Sequence, residues 1–166
     1  MKRLVIPVWL CLATAASAEK KDAPDLSGSY LCKATASSGI AIGNGKEWRA
    51  TTFDVSNEAY IVKLTDAKHT IENAFTASKV RVYTVGVKKF GSKEEFEDCY
   101  GHDKGLDLME VASFDGDMRC TFMSTHYWFN FNLMRFQTMF WGGYMDTRGD
   151  NRDTPYISIG KCEKID

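Results

Sequence analysis

The chain of 166 residues contains only three prolines and no low-complexity stretch that would serve as a linker, so nothing in it marks a boundary between two domains. It shows no internal repeat, which excludes a solenoid or a propeller. Positive charge is not in excess. Beyond residue 18 there are 19 basic against 22 acidic residues, a net charge of −3. That balance argues against a nucleic-acid partner, which requires a concentrated basic face. Beyond the same point no apolar run is long enough to cross a membrane. Catalytic motifs are missing as well: there is no nucleophile elbow and no second metal-ligand pair at suitable spacing.

What the chain does have begins at its first residues. Lys2 and Arg3 form a positive segment, Leu4 to Ala16 an apolar one, and Ala16-Ser17-Ala18 a small-x-small cleavage site followed at once by Glu19-Lys20-Lys21-Asp22. This is the three-part pattern of a secretory signal. Pro7 and the short apolar length set aside a membrane anchor. Trp9 and Leu10 before Cys11 set aside a lipidation site, which wants a small residue there. The expectation is a signal peptide over 1–18 and one disulfide-bonded β domain over 19–166, periplasmic or secreted. Cys32, Cys99, Cys120 and Cys162 remain, an even number, and in an exported chain they read as two disulfides. Three pairings are possible. Cys32–Cys162 with Cys99–Cys120 is expected, because the first would tie the opening strand to the closing one. Chain entropy gives the long loop about 5 kcal/mol and the short one about 3 kcal/mol.

Period-two alternation recurs along the chain. Tyr30, Cys32 and Ala34 share one face, Tyr60 to Leu64 alternates, and Val80 and Val82 are expected to face inward. Trp48, Thr51, Thr52 and Phe53 mark another β-like run over 47–55. Ile71 and Phe75 are spaced as on a short helix within 65–78, and Ser92-Lys93-Glu94-Glu95 fits a capping box. Leu106 to Phe114 and Asp117 to Met123 flank Asp115-Gly116, the dipeptide of a type I′ hairpin turn. From Tyr127 to Tyr144 there are eight aromatics in eighteen residues. Phe129, Phe131 and Leu133 are expected on one face, then Phe136, Thr138 and Phe140 after a break near Asn132. Tyr156 to Cys162 is the last strand. The fold class is therefore mostly β: a single antiparallel β-barrel or sandwich of about eight strands, with one or two short helices.

The segment Asp153-Thr154-Pro155-Tyr156-Ile157-Ser158-Ile159-Gly160-Lys161-Cys162 resembles the closing segment of small, uncharacterised exported proteins of Gram-negative bacteria. Phe129-Asn130-Phe131-Asn132-Leu133-Met134-Arg135-Phe136 looks like the strand pair that precedes it there. The resemblance implies export and lends no catalytic residues. Gly28-Ser29-Tyr30 is similar to the opening of lipocalin-type barrels, with tyrosine where those proteins have tryptophan. It bears on fold, not function.

Individual side chains give several candidate chemistries. Cys99 and His102 could chelate a metal, but no second pair accompanies them and Cys99 is expected in a disulfide. The loop Asp146 to Asp153 gathers oxygen ligands without the spacing of an EF-hand, and its Arg148-Gly149-Asp150 is the tripeptide of integrin ligands. Ser124 and His126 would share a face and form the hydrolase alternative. Glu94/Glu95 and Asp103/Asp107 are the carboxylate pairs, the first better read as capping. No metal and no cofactor is expected. The aromatic segment is the stronger signal. Tyr127, Trp128, Trp141 and Tyr144 (with Met145) are expected on the face opposite the core phenylalanines, as a contact surface for a small apolar ligand or an envelope protein. The functional expectation is a non-enzymatic binding or interaction domain. The alternatives are a small periplasmic hydrolase and a structural or stress-related envelope protein.

Overall fold

The computed structural model describes residues 24–42, 47–73, 76, 78–142 and 154–166. The strands are β1 (Gly28–Ile42), β2 (Trp48–Thr52), β3 (Ala59–Glu72), β4 (Lys79–Lys89), β5 (Glu97–Gly101), β6 (Glu110–Ala112), β7 (Asp117–Phe122), β8 (Thr125–Asn130), β9 (Arg135–Phe140) and β10 (Tyr156–Lys164). Eight of them run antiparallel in the order β1-β3-β4-β5-β7-β8-β9-β10, and β10 pairs back onto β1 to close a barrel. Closure removes the exposed sheet edges that an open sandwich would leave. β2 adds to β1 where β1 runs on past β3, and β6 pairs with β4 beside β5.

No helix occurs among the described residues, which corrects the expectation of one or two. Thr65 to Glu72 belong to β3, where a bulge between Asp66 and Thr70, with Lys68 at φ 64°, breaks the period-two pattern. A spacing of four fits one face of a strand as well as of a helix, so Ile71 and Phe75 do not separate the two; Phe75 lies outside the described residues. At Ser92 the backbone makes a local turn instead of a helix start: the Glu94 N–H donates to the Ser92 hydroxyl at 3.1 Å. Asp115 and Gly116 do take positive φ, 55° and 80°, and Phe114 bridges Asp117 across them. The turn forms but the expected hairpin is corrected: β6 is only three residues long and pairs with β4, while β7 pairs with β5 and β8.

The core is formed by Tyr30, Val62, Leu64, Met118, Phe129, Phe131 and Phe136, among others, with both disulfides buried within it. Cys32 and Cys162 face each other across the β1–β10 seam, and Cys99 pairs with Cys120 between β5 and β7. From β4 it is Tyr83, Val85 and Val87 that join this core. Val80 and Val82 are buried but one step out of phase, so their expected inward position is corrected. Leu133, expected beside Phe129 and Phe131, is 62% exposed because β8 ends at Asn130 and residues 131–134 form the turn.

A bulge at Thr35 sets the inner surface near the seam. Ala34 opposes Gly160 and Ala36 opposes Ile159, so the extra residue flips the phase of β1. Ser37 then points inward beside Ser158. Gly160 is required there for space: a Cβ on it would lie 2.2 Å from the Lys33 carbonyl oxygen and 2.3 Å from the Phe136 ring.

The two ends of the barrel differ. At the leading end, where β1 starts, Leu26 donates its N–H to the Tyr83 hydroxyl at 3.0 Å, and the Tyr30 hydroxyl donates to the Leu26 carbonyl at 2.8 Å. The Tyr30 ring packs 4.4 Å from that of Phe131. At the trailing end Tyr127, Thr138, Ser158 and Ser37 are direct cross-strand neighbours, forming a row of hydroxyls on the inner surface. Ser158 donates to the Glu58 carboxylate at 3.2 Å and shares a 2.8 Å hydroxyl–hydroxyl bond with Ser37; Tyr60 donates to the same carboxylate at 3.3 Å.

Candidate interaction surface

The register of β7, β8, β9, β10 and β1 fixes which side chains share the outside of the barrel. One row runs Thr121, His126, Met139, Ile157, Ser38, and the next runs Arg119, Trp128, Gln137, Ile159, Ala36. Ile157 and Ile159 are 44% and 50% exposed on β10, flanked by Trp128 and by Trp141, which is 60% exposed. Adjacent apolar side chains on a sheet exterior are a contiguous patch, not scattered exposure.

Trp128 does not hang free. The Arg119 guanidinium lies 3.9 Å from its ring centroid, and Asp117 accepts hydrogen bonds from both the indole N–H and Arg119. A ring clamped in this way has lost little further freedom to give up on binding, and Trp with Arg is the composition of interface hot spots. Two open grooves flank the patch. One, of about 740 Å³, runs between Ile40, Ala50, Met139, Trp141 and Ile157; the other, of about 510 Å³, runs between Trp128, Leu133, Gln137 and Ile159.

Beside the Trp128 row lies a different one. Arg135, Lys161 and Lys33 are direct cross-strand neighbours on β9, β10 and β1, all exposed. No ion pair with a carboxylate is made by any of the three among the described residues. Like charges placed directly opposite one another destabilise a sheet.

The expected contact residues divide on these facts. Trp128 and Trp141 are on the exterior. Tyr127 is a correction: it is 9% exposed and points inward, stacked 6.0 Å from Phe129, because residues two apart on a strand share a face. Tyr144, Met145 and the whole loop Asp146 to Asp153, with its calcium and Arg148-Gly149-Asp150 readings, lie outside the described residues, as do Cys11 and the segment 1–18. Asp117 and Arg119 were not singled out by the sequence; their alternation with Met118 and Cys120 was the available signal.

The catalytic candidates do not assemble. Ser124 sits in the β7–β8 turn and makes no hydrogen bond to His126 among the described residues; His126 bonds Thr121 instead, at 3.1 Å. Asp103 accepts the Ala112 backbone N–H at 2.9 Å, a structural use. Cys99 is in its disulfide, on the face opposite His102. No group of three or more His, Cys, Asp or Glu able to hold a metal occurs among the described residues.

A small pocket of about 90 Å³ between Tyr60, Val87, Tyr127 and Glu97 lies by the inner wall of the trailing end. Ligand cavities for organic molecules occupy roughly 300–1,000 Å³. Burial pushes the Tyr127 phenol up to about 12 and raises that of Tyr60 further, with the Glu58 charge adding to both. Comparison with protein-family models, with curated proteins and with solved structures gives no match.

Proposed function

We propose that this chain is an exported, non-enzymatic interaction domain whose contact surface is the barrel exterior over β8, β9, β10 and β1, and that its partner is a protein presenting an acidic strip beside an apolar one. The observation that carries this reading is Trp128, clamped by Arg119 and Asp117 on an open apolar face next to the row Arg135–Lys161–Lys33, which makes no ion pair among the described residues. An apolar centre with a charged rim is the anatomy of a protein interface. A partner carboxylate against the three cations would relieve their mutual repulsion, and electrostatic complementarity of this kind steers encounter and fixes register. The grooves are open along the surface, which suits a protein better than an enclosed small ligand. The signal-like N-terminus and two buried disulfides support an oxidising, exported location.

A photo-crosslinking amino acid placed at Ile157 is expected to trap one discrete protein adduct in the envelope of the native host, while the same group at Lys63, on β3, traps none. The adduct should be lost on combined Arg135→Glu, Lys161→Glu and Lys33→Glu substitution. Equal labelling from both positions, or an adduct indifferent to the charge reversal, overturns the reading. So does an adduct of twice the chain's own mass, which would make the occupant a second copy.

A further inference from the structure

The chain contains three histidines, and two of them converge on one atom. His102 Nε2 lies 3.1 Å from the Thr121 hydroxyl oxygen, and His126 Nδ1 lies 3.1 Å from the same oxygen. They come from separate places. His102 follows β5 directly, Thr121 is on β7, and His126 is directly opposite Thr121 on β8. A threonine hydroxyl carries one proton, so it can donate to one imidazole while accepting an N–H from the other. Each ring therefore has a nitrogen held at the Thr121 hydroxyl, and both rings are exposed to solution.

From this geometry we infer that His102 and His126 form a bidentate imidazole site for a divalent transition-metal ion, with Thr121 beneath it and water completing the coordination. Two 3.1 Å contacts to a shared atom hold the nitrogens no more than about 6 Å apart. Imidazole–metal bonds are about 2 Å long, so the nitrogens must close to within about 4 Å, a shift that rotation of exposed rings supplies. Imidazole donors suit copper, nickel and zinc, and the general affinity order of divalent ions puts copper(II) first. The third histidine, His69, stands apart on β3, 3.5 Å from Glu110, and serves as an internal control. The inference is independent of the protein-partner reading: Trp128, two residues along the strand from His126, serves here only as a reporter.

The test is titration of the oxidised, signal-processed protein with copper(II) sulfate, followed by tryptophan fluorescence and by electron paramagnetic resonance. One equivalent is expected to bind, with hyperfine structure from two nitrogens and quenching that requires Trp128. Zinc should compete only in large excess. His102→Gln and His126→Gln should each weaken binding at least tenfold with unchanged thermal unfolding, while His69→Gln binds like the parent. Binding that survives both substitutions, or a spectrum with a single nitrogen donor, overturns the site. So does failure to bind a stoichiometric amount at 100 µM copper, a concentration set by the experiment.

Discussion

The two ends of the barrel hold their interiors together by different means. The leading end is sealed by rings: Tyr30 against Phe131, with the Tyr30 and Tyr83 hydroxyls spent on the backbone of Leu26. The trailing end keeps a layer of hydroxyls and one carboxylate, and within it Thr138 is fully buried with a hydroxyl that has no hydrogen-bond partner among the described residues. A buried polar atom without a partner costs about 1–3 kcal/mol, whereas buried rings contribute by area and stacking. The trailing end also has its rings, Tyr60 against Tyr127 and Phe140 against Tyr156, so what separates the two ends is the polar layer and the cost of its unsatisfied hydroxyl.

The largest effect should come from the seam. Replacing Cys32 and Cys162 together by alanine is expected to remove about 5 kcal/mol, against about 3 kcal/mol for the Cys99/Cys120 pair, in urea unfolding of oxidised protein. Next, Phe129→Ala should cost about 3–5 kcal/mol. Thr138→Val, nearly the same shape at the trailing end, should leave stability unchanged or raise it, because it deletes an unsatisfied group. A loss above about 1 kcal/mol for Thr138→Val would break the comparison, since the hydroxyl would then have a bonded partner such as an ordered water. Gly160→Ala, which presses a methyl onto Phe136 and the Lys33 carbonyl, should cost about 1–3 kcal/mol.

The smallest effect is alkaline and sharpens the contrast. Burial raises the phenols of Tyr60, Tyr127 and Tyr156 at the trailing end and of Tyr30 and Tyr83 at the leading end, with Tyr127 reaching about 12. A raised phenol favours the protonated, folded state. Its contribution is complete below the ordinary tyrosine value of about 10 and is lost as pH climbs through the folded value. Stability measured from pH 9 to 12 should therefore fall, and Tyr127→Phe should flatten the fall more than Tyr30→Phe does.

Much of this architecture is legible in residue order, and what is not has a physical reason. Asp115-Gly116 announces its turn because only such residues tolerate positive φ there cheaply. The alternation of Phe136, Thr138 and Phe140 gives an inward face, and of the three pairings the cysteines allow, the favoured one is the one formed. Barrel closure is not legible, since the β1–β10 pairing joins residues over a hundred positions apart and leaves no local trace. Nor is the inward position of Ser37, because a one-residue bulge at Thr35 reverses the phase that Tyr30, Cys32 and Ala34 establish. Of the candidate surface, Trp128 and Trp141 could be read from the aromatic run. Tyr127 belongs by period two with Phe129 and not with its neighbour Trp128, and the cationic row emerges only when three strands are brought side by side.

The seam between β1 and β10 also sets an order of events. β1 precedes all the other described strands and its seam partner β10 follows them, and the disulfide across the two spans 130 residues. Until residues 156–164 are available, β1 has an unpaired edge and the rings at the leading end have no wall to close against. Contacts of such long sequence separation form late and slowly. Barrel closure and the Cys32–Cys162 bond therefore wait for residues 156–164, so a growing or threading polypeptide stays pliable until that strand arrives.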